Sequence, residues 1–230
     1  MVTAERFARG MTFEQYVAFV GTPANLKREG SFNRPRQDYS RFLAKAYEAT
    51  TVSPAQQEAL KWLTAQPGGP ARVLVISEEW SSDCRRDVPV VARLADVAGW
   101  ELRIFTRDGE RMSTAATPDP KEQPNADLMA RFLKRQDGQT FQSIPVAAFY
   151  TEDFRHLYTY QEFPAIYHKD RVVGAIRAPR PGESKEQSLE RGLRDFFAFQ
   201  VTPFFRVYAC AAADEIIAML HERLRVGSLA

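Results

Sequence analysis

The sequence predicts an α/β protein with a mixed sheet flanked by helices and with added helices at both termini. Two observations predict this class. In the middle of the 230-residue chain, short β-branched or aromatic runs alternate with stretches of helical periodicity, whereas both ends show helical periodicity alone. We expect a single compact unit made of three segments: residues 1–69, 70–200 and 201–230.

The first segment is predicted to be helical. Apolar residues recur at helical spacing over residues 13–20 and again over residues 42–47. Ser53 followed by Pro54 is typical of a helix start, and the Pro-Gly-Gly-Pro run at 67–70 ends that helix.

The middle segment carries the strand and helix patterns of the sheet. In chain order these are a buried strand at 73–76, a helix at 83–98 that ends at Gly99, a strand at 101–106, a charged loop at 107–124, a short helix at 125–134, and a hairpin of strands at 146–150 and 156–160. This order predicts parallel strand pairing first and antiparallel pairing after it. Helices follow from about residue 183 and again from Pro203, the last ending near Gly227.

Composition limits the partners and the compartment. Lys and Arg number 31 and Asp and Glu number 29, so a net charge of +2 favours neither an extended nucleic-acid surface nor a polybasic membrane patch. Two cysteines cannot form a disulfide framework and are typical of a reducing compartment. No apolar run has the length of a membrane span, and the first residues lack the apolar core of a signal peptide. We expect a cytoplasmic protein that binds neither nucleic acid nor membrane.

The candidate functional site is the segment at 78–89, which connects a predicted buried strand to the start of a predicted helix. It resembles the active site of the thioredoxin superfamily, Trp-Cys-x-x-Cys with a proline five residues beyond the second cysteine. Trp80, Cys84 and Pro89 stand at the matching places. Ile144-Pro145 is similar to the family's Ile-Pro, which carries a cis proline facing the active site. The resemblance covers about residues 71–200 and implies a thioredoxin-like fold.

Two departures from the family pattern change the expected chemistry. The attacking cysteine of the family is replaced by Ser81, and its buried acid by Val75. A serine hydroxyl is too weak an acid to attack a disulfide at neutral pH without an activating base. Dithiol–disulfide cycling is therefore excluded for this chain alone.

Three hypotheses for function follow from the resemblance. In the first, Cys84 is a single nucleophilic thiol, activated by the helix N-terminus and by Arg85 and Arg86, while Ser81 donates a hydrogen bond to the thiolate. Its partner would be a protein or peptide thiol or disulfide, or a low-molecular-weight thiol. In a third, the chain is a peroxidase, because Ser-x-x-Cys resembles the Thr/Ser-x-x-Cys of peroxiredoxins, although Ser77 stands where that family has proline.

The second hypothesis is a non-catalytic module that binds a peptide or protein partner in the same groove. Its binding residues would be those that flank the motif and the Ile-Pro pair: Trp80, Ser82, Asp83, Ile144 and Pro145. In this interpretation Cys84 is a small buried side chain. No cofactor is expected under any of these hypotheses.

The remaining polar and aromatic residues receive structural interpretations. We expect Glu78 and Glu79 to be solvated or capping, with a general acid–base or metal-binding role, shared with Asp83, as the alternative. We expect Cys210 to pack in the core, with a Cys84–Cys210 bridge left open. His156, His168 and His221 show no metal-ligand spacing.

Two further stretches are interpreted in the same way. The basic loops at 33–36 and 177–181 are expected to be solvated, with binding of an anion or an acidic partner as the alternative. The aromatic run at 196–205 is expected to pack within the chain, with a homodimer contact as the alternative.

Overall fold

The computed structural model describes residues 2–31 and 34–226, so Asn33 and Gly227 lie outside the described residues. The elements within these ranges are, in chain order, α1 (Ala4–Ala8), α2 (Phe13–Val20), α3 (Pro23–Leu26), α4 (Ser40–Ala49), α5 (Pro54–Ala65), β1 (Arg72–Ser77), α6 (Ser82–Ala98), β2 (Glu101–Thr106), α7 (Ala126–Met129), β3 (Lys134–Gln136), β4 (Gln139–Phe141), β5 (Val146–Tyr150), β6 (His156–Gln161), α8 (Lys169–Arg177), α9 (Lys185–Phe199) and α10 (Pro203–Val226).

The central sheet has four strands in the order β2-β1-β5-β6. β1 runs parallel to β2 and antiparallel to β5, and β5 runs antiparallel to β6. Every residue of β5 is buried, as is all of β1 except Arg72, because both faces of these central strands are covered. The predicted mixed sheet flanked by helices, with added helices at both termini, is confirmed, and the arrangement is thioredoxin-like.

Helix α6 is the main helix against the sheet and determines where the site lies. It contacts β1 and β2, and α4, α5 and α10 pack around it. Gly99 adopts the left-handed conformation (φ 71°) at its C-terminus, where a residue without a Cβ ends a helix at little cost. The first turn of α6 follows β1 after only four residues, so the motif residues are held between two buried elements.

The N-terminal segment is tied to the sheet by both backbone and side-chain contacts. Met11 and Ile104 exchange two backbone hydrogen bonds of 2.9 and 2.7 Å, which attach the chain before α2 to β2. Tyr16 on α2 is fully buried, and its hydroxyl lies 3.0 Å from the Ser77 hydroxyl at the end of β1. The hydrophobic core contains residues from all three segments, among them Tyr16, Val75 and Ile216.

Capping residues explain where the N-terminal helices begin. Thr12 and Gln15 form a reciprocal capping box at the start of α2, and Ser53 and Gln56 form one at the start of α5. The predicted helix start at Ser53 and Pro54 is confirmed, because Pro54 occupies the first helical position.

The predicted short helix at 125–134 is present but shorter than expected. Only the single turn α7 forms, and the chain then enters the β3–β4 hairpin, which lies apart from the main sheet. Asp137 and Gly138 both have positive φ (49° and 75°) in its two-residue turn, which is the geometry that Asp-Gly favours. Helices α1, α3 and α8 were also not predicted.

The aromatic run around the α9–α10 junction is only partly buried. Phe196 and Phe205 are buried, whereas Phe197 is 45 % and Phe204 68 % exposed. The expectation that the whole run packs within the chain is therefore wrong for its outward-facing half. In the described part of the chain, no single helix is long and apolar enough to cross a membrane; α9 and α10 meet that test only as a pair, bent by 62°.

The Tyr16–Ser77 contact predicts a measurable loss of stability on removing one hydroxyl. We expect Tyr16→Phe to lower the free energy of unfolding by about 1–2 kcal/mol, because a buried hydroxyl then loses a partner. Urea unfolding followed by circular dichroism measures this. Tyr47→Phe is the control, since the Tyr47 hydroxyl bonds to Asp96 at the surface. Equal losses in the two variants would contradict the assigned role of Tyr16.

Candidate functional site

The junction between β1 and α6 carries two fully buried carboxylates. Glu78 and Glu79 are both 0 % exposed, so the expectation that they are solvated or capping is wrong. A buried charge is costly unless it is paired, and these two are paired with side chains from the N-terminal segment. Local sequence patterns do not identify these partners, because they lie more than 40 residues upstream.

Arg36 is the central cation of this cluster. Its Nη1 donates to Glu78 and, at 2.9 Å, to Glu79 Oε2, and its side chain is wholly buried. The expectation that the basic loop around Arg36 is solvated is therefore wrong at this residue. Arg28 donates to Glu78 Oε1 at 3.2 Å, and the Asp108 backbone N–H donates to the same oxygen at 2.6 Å.

The cluster leaves Glu78 short of full compensation. Burial and the nearby Asp108 carboxylate raise the pKa of Glu78, against the lowering effect of Arg36 and Arg28. The raised pKa reflects the cost of moving a carboxylate out of water.

Cys84 lies beneath this cluster and is 1 % exposed. Its Sγ accepts a hydrogen bond of 3.5 Å from the Glu78 backbone N–H, and burial raises the pKa of the thiol to about 12. Hydrogen bonds with the Ser77 and Ser81 side chains lower this pKa but do not offset the burial. At neutral pH the thiol is therefore protonated and shielded, a geometry that opposes its predicted role as a nucleophile.

The two arginines that follow Cys84 have other partners. Arg86 donates to Asp83 at 3.0 Å and to Asp87 at 2.5 and 2.7 Å. Arg85 donates to the backbone carbonyls of Glu79 and Trp80 at 2.7 and 2.9 Å. Neither guanidinium forms a hydrogen bond with the Cys84 sulfur in the described part of the chain.

A second buried ionic group lies one turn along α6. Asp87 is fully buried and accepts hydrogen bonds from Arg86 and, at 2.7 Å, from the Tyr160 hydroxyl on β6. Burial raises the pKa of Asp87 to about 6, while Arg86 and Tyr160 act in the opposite direction and Asp83 adds to the increase. Lys169 on α8 pairs with Asp83 at 2.5 Å.

A groove of about 660 Å³ opens beside the motif. Trp80, Ser81, Asp83 and Ile144 all line it, so the structure brings four of the predicted site residues together. Pro145, which follows a cis peptide bond, does not line the groove. Its carbonyl accepts a hydrogen bond of 2.8 Å from the Glu162 N–H.

Ser82 lies on a neighbouring cavity of about 480 Å³, which also contacts Trp80, Ser81 and Asp83. The two spaces are therefore adjacent, and the motif forms the wall that they share.

Trp80 is held in place from the loop after β2. Its Nε1–H donates to Asp108 Oδ2 at 3.0 Å, and the Arg107 guanidinium lies 5.3 Å from the centre of its ring. The side chain is half-buried, so one face is available to the groove.

Cys210 does not pack in the core as expected, because it is exposed on α10. Cys84 and Cys210 are both free thiols.

Among the described residues, no group of three or more His, Cys, Asp or Glu side chains is arranged to hold a metal ion.

Comparison with known proteins agrees with this geometry. A family model described as thioredoxin matches residues 29–119, from the loop that carries Arg36 through β1, α6 and β2. This match supports assignment of the chain to the thioredoxin superfamily. The match begins well before residue 70, where the sequence placed the start of the thioredoxin-like segment.

Two solved structures share the fold of this thioredoxin-superfamily chain. One is a protein of unknown function from Pseudomonas aeruginosa, with 17 % identity and a TM-score of 0.54 over 96 % of this chain and 98 % of that one. The other is an HIV epitope scaffold, with 17 % identity and a TM-score of 0.53 over the same shares of the two chains. At this identity they show the fold alone. Comparison with curated proteins gave no match.

Several residues that form ion pairs at the site are not predicted from the sequence. Arg36, Asp108 and Lys169 come from three separate loops or helix starts and meet only in the fold. One sequence signal was available: Glu78 and Glu79 directly follow a strand that is predicted to be buried. If their side chains are buried as well, they need cationic partners elsewhere in the chain.

The burial of Cys84 predicts selective labelling of the two thiols. We expect iodoacetamide to modify Cys210 in the native protein and to reach Cys84 only after unfolding, from neutral to mildly alkaline pH. Mass spectrometry of peptides from wild type, Cys84→Ser and Cys210→Ser measures this. Rapid labelling of native Cys210→Ser would show that Cys84 is reactive and would restore the nucleophile hypothesis.

The raised pKa of Asp87 predicts a specific pH dependence of stability. The pKa of the Asp87 carboxyl is about 6 in the folded protein and 3.8 for the ordinary, unfolded group. Between pH 3.8 and about 6, the carboxyl is therefore more protonated in the folded state than in the unfolded state. The contribution of Asp87 to stability therefore falls as the pH rises through this window, by about 3 kcal/mol.

Asp87→Asn should remove that slope, as measured by urea unfolding at several pH values. Asp127→Asn is the matched control with the opposite sign, because Arg6 lowers the pKa of Asp127. Its contribution is present above the ordinary pKa and is lost as the pH falls. The same slope in wild type and Asp87→Asn would contradict the assignment.

Proposed function

We propose that this thioredoxin-superfamily chain is a non-catalytic binding module that holds an extended peptide in the groove beside Ile144. The observation that carries the proposal is an open groove beside a thiol that is 1 % exposed. Ser81 occupies the place of the attacking cysteine, so the groove retains the position of a substrate site without a group that can exchange disulfides.

The backbone of Ile144 supports peptide binding. Ile144 lines the groove, and its N–H and C=O have no hydrogen-bond partner among the described residues. Unpaired backbone groups at a residue only 5 % exposed are costly, and pairing with an extended peptide would satisfy both of them.

The side chains of the groove favour a largely uncharged peptide. The charged groups on its wall are matched: Lys169 pairs with Asp83, and Glu162 pairs with Lys134. Phe141 on β4, which is 42 % exposed, and the half-buried Trp80 provide apolar surface for side chains of the peptide.

The test begins with selection of random twelve-residue peptides displayed on phage against the wild-type protein. The best binder is then synthesised, and its affinity is measured by fluorescence anisotropy. We expect Phe141→Ala to weaken binding about tenfold, because it removes an apolar contact from the groove. Val97→Ala is the control, since Val97 is similarly exposed at 37 % but does not line the groove.

Methylation of single backbone nitrogens in the peptide tests the pairing with Ile144. One position opposite Ile144 should lose about tenfold in affinity, while its neighbours change little. The proposal is wrong if no peptide distinguishes wild type from Phe141→Ala. Loss of binding in Cys84→Ser, with the fold intact, would instead favour thiol chemistry at this site.

A further inference from the structure

The cavity next to the groove lies between the N-terminal segment, the first turn of α6 and helices α8 and α9. It measures about 480 Å³, within the range of small-molecule sites. Loop residues 30–31 and 34–39 form one wall, α8 and α9 form another, and the first turn of α6 forms the floor. It shares Trp80, Ser81, Asp83 and Lys169 with the groove and is otherwise lined by different residues.

Arg85 is a buried cation on this cavity without an anionic partner. It is 2 % exposed, and no carboxylate lies within ion-pair distance of its guanidinium in the described part of the chain. Its hydrogen-bond acceptors are neutral: two backbone carbonyls and, at 2.7 Å, Gln200 Oε1. Neutral acceptors orient a guanidinium but do not cancel its charge.

The contrast with the neighbouring arginines shows that this is unusual within the site. Arg36 and Arg86 are equally buried, and each is bonded to carboxylates at about 3 Å or less. Burial lowers the pKa of Arg85, and the more distant charges of Asp83 and Glu79, which raise it, do not offset the burial. A buried guanidinium with only neutral partners, open to a cavity, is the arrangement that an incoming anion would complete.

The rest of the lining is positive and apolar. Among its charged side chains five are cationic, and the single carboxylate, Asp83, is already bonded to Arg86 and Lys169. The apolar wall is aromatic and aliphatic: Tyr39, Trp80, Val173, Leu193, Phe196 and Phe197. The Tyr39 ring lies 4.0 Å from the Arg85 guanidinium and holds it towards the cavity side of α6.

We propose that this cavity binds a small amphipathic monoanion, a carboxylate on an apolar body, with the carboxylate paired to Arg85. One uncompensated buried cation matches one negative charge, and the apolar wall matches a hydrocarbon chain or ring. A phosphate monoester would bring nearly two charges and would leave one of them without a buried partner.

Octanoate and its neutral analogue octan-1-ol test the proposal by isothermal titration calorimetry in a buffer free of carboxylates. We expect one octanoate per chain, bound at least about tenfold more tightly than octan-1-ol. Arg85→Met keeps an apolar stem but removes the charge. It should lower the octanoate affinity about tenfold and leave that of octan-1-ol nearly unchanged.

A second variant keeps Arg85 in place, because Arg85→Met also removes hydrogen bonds to two backbone carbonyls. Leu193→Trp fills the cavity and should abolish binding of both compounds. Leu189→Trp is the matched control, since Leu189 lies one turn earlier on α9, is 52 % exposed and does not line the cavity.

Three results would overturn the proposal: equal affinity for octanoate and octan-1-ol, full octanoate affinity in folded Arg85→Met, or the same behaviour in Leu193→Trp and Leu189→Trp. Absence of octanoate binding to the wild-type protein would do so as well. These outcomes are separate from the peptide test, because Phe141 does not line this cavity.

Discussion

The buried ion cluster around Arg36 is the interaction on which the rest of the site depends. One guanidinium from the N-terminal loop bridges Glu78 and Glu79 at the end of the central strand β1. Without it, Glu78 would keep only Arg28 as an ionic partner and Glu79 would have none among the described residues, a cost of several kcal/mol. The cluster therefore couples the added N-terminal segment to the thioredoxin core at the point where the motif begins, and Asp108, which contacts both Glu78 and Trp80, extends it to the groove.

This coupling leaves no accessible thiolate at the position where the family has its active site. Thiol chemistry needs an accessible thiolate, which positive potential and solvent exposure provide. Here the positive charges of Arg36 and Arg86 are bonded to carboxylates, and Cys84 is enclosed beneath Glu78. The exposed features are two recesses that meet at Trp80 and Ser81, a combination suited to recognition.

The sequence predicted the parts of the fold that depend on local patterns. The strand at 101–106 was placed correctly at both ends, and α6 was placed within one residue, because β-branched runs and an apolar stripe ending at Gly99 are local signals. The β3–β4 hairpin is not predicted because its strands are only three largely polar residues each, and because the predicted helix at 125–134 extends over Lys134, the first residue of β3. Cys210 was misplaced because α10 carries apolar residues on its exposed side too, such as Val207. The pairing of Arg36 with Glu78 has no local signal at all.

The two hydrogen bonds between Met11 and Ile104 have a consequence for the behaviour of the molecule in a crowded solution. β2 is the outer strand of the sheet, and an unpaired outer strand offers its backbone to any other chain. Met11 occupies the hydrogen-bonding groups of Ile104 in the middle of that strand. The N-terminal segment thus blocks the addition of a strand from another molecule at this position. A chain that lacked the residues before α2 would expose β2 as an aggregation-prone edge strand even if its core still folded.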